Sequence, residues 1–154
     1  MPERDARSTP GEVRELGVGE THRAHDAMRW LRPAYDSEQA FVAHVDGVLR
    51  PGGYRLVASL LGDREQALAV AGFRVADSLA WGHHVYVDDL STAPEARREG
   101  HAGALLRWLE TEGRRLGCAQ LHLDSATGEQ RFDAHRLYYN HGLAIDAHHF
   151  ARRL

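Results

Sequence analysis

The chain has 154 residues, of which 43% are hydrophobic and 27% are charged, a combination typical of a globular protein large enough to bury one core. The formal net charge of −3 provides no basic surface, so no nucleic-acid partner is expected. The single cysteine cannot form an internal disulfide, which favours a reducing compartment and predicts a cytoplasmic protein.

The N-terminal third predicts one strand and two helices. Residues 1–10 are charged and contain proline, and we expect them to form a flexible segment before a single domain at residues 11–154. A short strand over residues 12–17 is followed by a helix that Thr21 caps and that stops before Pro33. Ser37 caps a second helix over residues 38–49, where apolar residues recur at helical spacing.

The middle of the chain predicts strands. Residues 54–61 and 67–76 read as two strands joined by Gly-Asp-Arg-Glu, a good hairpin connection. The apolar run in the second of them is far too short to cross a membrane, so no membrane partner is expected. A third strand, over residues 83–90, leads through a glycine-rich turn into a helix over residues 104–116 with an apolar stripe. Gly117 ends that helix, and residues 119–124 alternate like a further strand.

The glycine-rich turn is the segment with the clearest chemical meaning. It reads Arg97-Arg98-Glu99-Gly100-His101-Ala102-Gly103. The first turn of a helix has unpaired N–H groups and partial positive charge, and phosphates bind at such places. Small residues let phosphate oxygens approach the backbone. The spacing is neither that of a dinucleotide fingerprint nor that of a P-loop, and the chain contains no lysine, so those two kinds of site are disfavoured.

Arg97-x-x-Gly100-x-Ala102, after a strand and opening a helix, resembles the signature of the GNAT (Gcn5-related N-acetyltransferase) superfamily. Residues 134–143 are similar to the family's A-x-x-F-Y-x-x-x-G-F helix and turn, with leucine at two aromatic positions. The resemblance covers residues 54 to 150. It implies an α/β (α+β) fold in the order β-α-α-β-β-β-α-β-α-β, with a mixed, mostly antiparallel sheet flanked by helices.

The resemblance also implies a function. It predicts an N-acetyltransferase that uses acetyl-CoA, without a metal, and acetylates a primary amine of a small molecule or protein by direct attack in a ternary complex. Tyr138 falls on the position of the family's general-acid tyrosine, and its neighbour Tyr139 points elsewhere because adjacent helix residues diverge by about 100°. The acceptor pocket of this fold corresponds to residues 30–37.

The resemblance assigns the contacts with CoA as well. The pantetheine arm is expected to pair with the backbone of Leu90, Ser91 and Thr92, and the N–H of Leu90 or Asp89 to polarise the thioester carbonyl. The pyrophosphate is expected at the turn, on Arg97, Arg98, Glu99, Gly100, His101, Ala102 and Gly103.

The general base is left open by the sequence. An alkyl ammonium with a pKa of about 10.4 must lose a proton before it attacks. Asp88 and Asp89 near the end of a strand are candidates, and so is His122, which shares a strand face with Asp124. The alternative is that the two adjacent aspartates are merely solvated.

Other functions stay open too. A noncatalytic acyl-CoA-binding regulatory domain would share the turn, and so would a toxin that acetylates aminoacyl-tRNA, although the negative charge disfavours the latter. The adjacent histidine pairs at residues 83–84 and 148–149 resemble metal ligands, but neighbours in a strand diverge to opposite faces, so no metal site is expected. A homodimer is allowed by analogy with the superfamily.

Overall fold

The computed structural model describes residues 11–154, so the flexible segment predicted at residues 1–10 lies outside the described residues. The chain divides into two compact units, the first ending at His122 and the second comprising Leu123–Leu154. The single domain expected over residues 11–154 stays a prediction. Within the described residues, no helix has both the length and the apolar character needed to cross a bilayer.

Five strands form one sheet in the order β1-β2-β3-β4-β5. They are β1 (Glu12–Leu16), β2 (Arg55–Leu60), β3 (Ala69–Ser78), β4 (Gly82–Thr92) and β5 (Gln120–Leu123). The first four pair antiparallel in sequence order, which confirms the predicted hairpin and the mostly antiparallel sheet. β2 and the first half of β3 are buried almost throughout, which explains their continuous apolar runs.

Among residues 11–122 the structure shows three α-helices: α1 (His25–Leu31), α2 (Glu38–His44) and α3 (His101–Arg115). Ser37 caps α2 as predicted, because its hydroxyl accepts a hydrogen bond from Ala40 N at 3.3 Å. Thr21 does not cap a helix, and this prediction was wrong. Its hydroxyl instead donates to Asp46 Oδ1 at 2.6 Å, and a 3₁₀ turn, Thr21–Ala24, precedes α1.

The helices cover the two faces of the sheet. Gly72 and Phe73 are adjacent on β3 and therefore face opposite sides. Phe73 packs edge-on against Trp108 of α3, with ring centroids 5.8 Å apart. On the other face, Tyr54 occupies the space beside Gly72 where a Cβ atom would stand. Tyr54 belongs to the core cluster that α1 and α2 build, so these two helices lie on the face opposite α3.

The second unit contains α4 (Phe132–Asn140), whose His135 Nε2 lies 3.0 Å from the carbonyl oxygen of Ala126. The final strand predicted after α4 is absent, since residues 143–154 carry no helix or strand. Ile145 and Phe150 in this segment are exposed, and three of the four side chains between them are polar. The segment therefore buries too little apolar area to behave as a core strand. The observed order in the described chain is β-α-α-β-β-β-α-β-α.

Candidate active site

A β-bulge interrupts the pairing of β4 with β3. Gly72 pairs with Asp89 and Phe73 pairs with Val87, so Asp88 is an extra residue on β4. A bulge changes the alternation of side chains and re-aims those beside it. The two adjacent carboxylates singled out from the sequence therefore lie at the irregular point of the strand.

Asp88 and Asp89 both make contacts on the face of the sheet that carries α1. The carboxylate of Asp88 accepts two hydrogen bonds from Arg74, at 2.9 and 2.7 Å. Asp89 Oδ2 accepts one from the hydroxyl of Tyr54, at 2.7 Å. Arg74 and Gly72 share a face of β3, and Tyr54 lies on that face. In a regular strand neighbouring residues point to opposite faces, so the bulge is what brings the two carboxylates together.

Arg32 connects the end of α1 to this bulge. Its Nε donates to Asp89 Oδ1 at 2.7 Å, and its Nη2 donates to the carbonyl oxygen of Asp88 at 3.0 Å. The Arg32 side chain is 48% exposed, whereas that of Asp89 is 13% exposed. A half-exposed cation thus covers an enclosed anion. Sequence reasoning missed Arg32 and Tyr54 because their partner Asp89 is 57 and 35 residues away, and no local motif reports such a contact.

The electrostatics keep Tyr54 in its protonated form. Burial, followed by the charge of Asp89, raises the pKa of the Tyr54 hydroxyl well above its usual range. The hydroxyl consequently acts as a donor to Asp89. Each carboxylate oxygen of the two aspartates accepts one of these hydrogen bonds and has a second lone pair, so acceptor capacity remains at both residues.

His122 lies in a different part of the first unit. Its ring stacks on Trp81 with centroids 3.7 Å apart, and its Nε2 is 2.7 Å from Gln120 Oε1. His84 packs edge-on against the same tryptophan, at 5.1 Å. Since His84 precedes Asp88 by ~13 Å along β4, the structure joins Asp88 to Asp89 and leaves His122 apart. No cluster of three metal-ligating side chains occurs among residues 11–154.

The end of β4 extends beyond its outer neighbour. β5 begins beside His83, whose carbonyl oxygen accepts a hydrogen bond from Ala119 N at 2.9 Å. β5 has 4 residues and is therefore ~13 Å long, whereas Leu90 lies ~23 Å beyond His83 along β4. The backbone edge at residues 90–92 continues past β5. Ser91 in this stretch is buried, and its hydroxyl donates to Ala27 O at 2.6 Å, so its side chain is committed to the α1 face.

The glycine-rich turn opens α3 as the sequence predicts. Gly100 is the N-cap residue in the left-handed region, with φ 88°, a conformation that glycine adopts without strain. The first intrahelical hydrogen bond runs from Ala104 N to Gly100 O, at 3.1 Å. The N–H groups of His101, Ala102 and Gly103 precede that bond and lie at the positive end of a 15-residue helix. Arg97, Arg98 and Glu99 are exposed beside them.

His101 departs from its neighbours because its side chain is buried. Its Nδ1 lies 2.9 Å from Ser59 Oγ in β2, and its Nε2 lies 3.3 Å from Glu99 Oε2. Sequence reasoning placed His101 in the turn but did not identify Ser59, which sits 42 residues earlier.

The second unit carries Tyr138 on α4. Burial raises the pKa of the Tyr138 hydroxyl, and the charge of Arg131 opposes that rise. The Tyr138 hydroxyl therefore keeps its proton at neutral pH, while the neighbouring Tyr139 is 55% exposed. The two tyrosines differ in environment, as their spacing on a helix predicts.

A small cavity of about 100 Å³ lies near the other end of α3, between Gly113, Val85 and Cys118. None of the predicted site residues lines it. It is therefore separate from the site at the bulge and the turn.

The chain as a whole is similar to known acetyltransferases. The model of the acetyltransferase (GNAT) family matches residues 12–143. The uncharacterized N-acetyltransferase YhdJ of Bacillus subtilis is 29% identical over 130 residues, which are 84% of this chain and 88% of the relative. A putative acetyltransferase from Agrobacterium tumefaciens has a similar fold, with a TM-score of 0.77, 16% identity, and coverage of 93% of this chain and 99% of that one. The aminoglycoside N-acetyltransferase AAC(6')-Iy in complex with CoA gives a TM-score of 0.74 at 16% identity, with 93% of each chain covered.

Proposed function

Because the chain belongs to the acetyltransferase (GNAT) family, we propose that it transfers the acetyl group of acetyl-CoA to a primary amine of a small molecule or a protein. The observation that carries the proposal is the path from β4 to α3. A bulge at Asp88 and the stretch of β4 at residues 90–92, which continues past β5, precede a helix N-terminus that Gly100 caps. The backbone at residues 90–92 suits a thioester arm, and the helix N-terminus suits a pyrophosphate. Acetyl-CoA carries these two groups in the same order.

Acetyl-CoA would lie along that path. The backbone of Leu90, Ser91 and Thr92 is assigned to the pantetheine arm, and the turn from Arg97 to Gly103 to the pyrophosphate. The N–H of Leu90 or Asp89 then polarises the thioester carbonyl, where a fixed donor stabilises the charge that develops on oxygen. The solved structure of the similar aminoglycoside acetyltransferase contains CoA, which supports this choice of cosubstrate.

The chemistry requires one proton to leave the amine and one to reach the thiolate. We assign the first to the aspartate pair, and to Asp89 in particular, because it is enclosed and precedes the polarising N–H at Leu90. His122 is less favoured, since it is held by Trp81 and Gln120 away from the bulge. Tyr138 is assigned as the general acid, in keeping with its partly buried, protonated hydroxyl. We propose that the amine attacks acetyl-CoA directly in a ternary complex, without a covalent enzyme intermediate. We also propose a cytoplasmic location, where acetyl-CoA is present.

The first experiment is a thermal-shift titration with acetyl-CoA, with ATP as the control and calorimetry for the dissociation constant. Ligand at a hundredfold excess over its dissociation constant stabilises by about 2.7 kcal/mol, which corresponds to about 5 to 11 °C for a chain of this size. A shift with acetyl-CoA and none with ATP supports the proposal. Flat calorimetry with acetyl-CoA would overturn it.

A second candidate is a noncatalytic acyl-CoA-binding domain. It is favoured by one observation: Arg74 occupies the carboxylate of Asp88, and Arg32 and Tyr54 occupy that of Asp89. A panel of primary amines separates the two functions, because an enzyme releases CoA with at least one acceptor class. Tight acetyl-CoA binding without turnover across small amines, peptide N-termini and lysine side chains would identify the binding domain.

A further inference from the structure

Ser59, His101 and Glu99 form a chain of hydrogen bonds beneath the turn that precedes α3. The ring of His101 lies between the other two, with its Nδ1 2.9 Å from Ser59 Oγ and its Nε2 3.3 Å from Glu99 Oε2. The His101 side chain is 3% exposed and that of Glu99 is 43% exposed. Through one buried ring, an interior strand of the sheet is therefore connected to an exposed turn.

These three residues do not form a nucleophilic triad, although their types suggest one. Ser59 is fully buried, so no substrate reaches its hydroxyl. A nucleophile must be accessible to the group that it attacks. The chain of bonds is instead suited to holding the backbone of the turn in place.

The conformation of the turn needs such support. Arg98 has φ 65° and Gly100 has φ 88°, so two left-handed residues flank Glu99. Glycine adopts this region freely, but for an arginine it is uncommon and persists where the surrounding structure enforces it. Glu99, between these two residues, is the one whose side chain is bonded to the buried ring.

We propose that His101 is a positioning residue for the binding of the acetyl-CoA pyrophosphate, an inference that rests on the function proposed above. By bonding to Glu99 and Ser59, the ring fixes the turn so that the N–H groups of residues 101–103 face the ligand. It also holds the Glu99 carboxylate toward the ring. A carboxylate released beside an anion site would repel the phosphates.

The negative charge of Glu99 makes the direction of the change in acetyl-CoA affinity diagnostic. Removal of a negative charge beside an anion site should by itself tighten anion binding. Glu95 is the matched control, because it is an exposed acid ahead of the same turn, with Arg64 at 4.0 Å as its ion-pair partner. We expect Glu95→Ala to bind acetyl-CoA as tightly as the wild type or more tightly. We expect Glu99→Ala to bind about fivefold more weakly, the effect of one lost hydrogen bond, although it has lost the same charge.

Two further variants separate positioning from folding. Glu99→Gln loses the same charge as Glu99→Ala but keeps an oxygen that accepts a hydrogen bond from the ring, so it should bind acetyl-CoA more tightly than Glu99→Ala does. The double variant Ser59→Ala with His101→Leu replaces the buried pair by apolar groups and leaves no buried polar atom unpaired. It should therefore unfold close to the wild-type temperature. Its affinity for acetyl-CoA should fall by about tenfold or more, because both hydrogen bonds of the ring are lost.

The measurements are dissociation constants by calorimetry and thermal unfolding of each unliganded full-length variant. If Glu99→Ala binds as tightly as Glu95→Ala, or if the double variant keeps wild-type affinity, His101 does not position the turn. If the wild type does not bind acetyl-CoA, the proposed function fails and this inference fails with it. Wild-type binding with unchanged variants overturns the positioning role alone.

Discussion

Tyr54 donates its hydroxyl hydrogen to Asp89 Oδ2 over 2.7 Å, in the space left by the missing side chain of Gly72. The contact joins the residue before β2 to the bulge of β4. Because Tyr54 is buried in the core, this hydrogen bond links the core directly to a carboxylate of the candidate site. A change at this one hydroxyl therefore affects both stability and the carboxylate that we assign as the base.

Tyr54→Phe should alter stability in a pH-dependent way. The pKa of Tyr54 is raised in the folded protein by burial and then by Asp89, whereas an unfolded tyrosine titrates at about 10. The folded state therefore holds the proton more tightly, so this contribution is fully present below pH 10 and is lost as the pH rises further. Urea unfolding at pH 8 and near pH 11 should show a steeper loss in the wild type than in Tyr54→Phe. Parallel losses would contradict the buried, protonated tyrosine.

Glu112→Gln tests the ion network on the α3 face. Hydrogen bonds from Arg115, and then from Arg55, lower the pKa of Glu112 to about 2. A depressed folded pKa contributes stability above the unfolded value of about 4.3 and loses it as the pH falls toward 2. We expect the variant to lose about 1–3 kcal/mol of unfolding free energy at pH 7 and to approach the wild type near pH 2.

Glu110→Gln is the matched control for that measurement. It removes the same charge from the same helix, but its partner Arg114 is 76% exposed and 3.8 Å away. The control should lose about 0–1 kcal/mol, as is usual for exposed ion pairs. Equal losses in the two variants would show that the network around Glu112 adds nothing beyond a surface charge.

The elements that local signals determine were predictable from the sequence, and the site contacts were not. Ser37 and Gly117 mark helix ends through capping chemistry that each residue carries itself. The bulge at Asp88 arises only when β4 pairs with β3, and a strand pattern does not report its register. Thr21 has the chemistry of a cap, but the tertiary contact with Asp46 takes its hydroxyl. Contacts between residues that are distant in the sequence leave no local signal. Arg32 and Tyr54 reach Asp89 through such contacts, which is why the sequence did not identify them.

Asp89→Asn should reduce turnover once an acceptor amine is known. The amide cannot take the proton of the attacking ammonium, so kcat/KM should fall by about 10²-fold or more, while acetyl-CoA affinity stays unchanged. His122→Gln is the comparison, because that ring is stacked on Trp81 away from the bulge. It should retain wild-type turnover. An equal loss in His122→Gln, with Asp89→Asn fully active, would transfer the role of base to the histidine.

Tyr138→Phe should lower kcat without weakening acetyl-CoA binding. The ring remains and only the proton donor is lost, so the departing thiolate receives no proton, and kcat should fall by about 10²-fold near neutral pH. A thiol titrates at about 8.5, so the thiolate leaves unaided at higher pH and the defect should shrink above pH 9. Tyr139→Phe removes the hydroxyl of the exposed neighbouring tyrosine and should behave as the wild type. Full activity of Tyr138→Phe at pH 7 would show that water, and not Tyr138, protonates the departing thiolate. A loss of kcat that has the same size across the pH range would indicate that the hydroxyl orients the thioester instead.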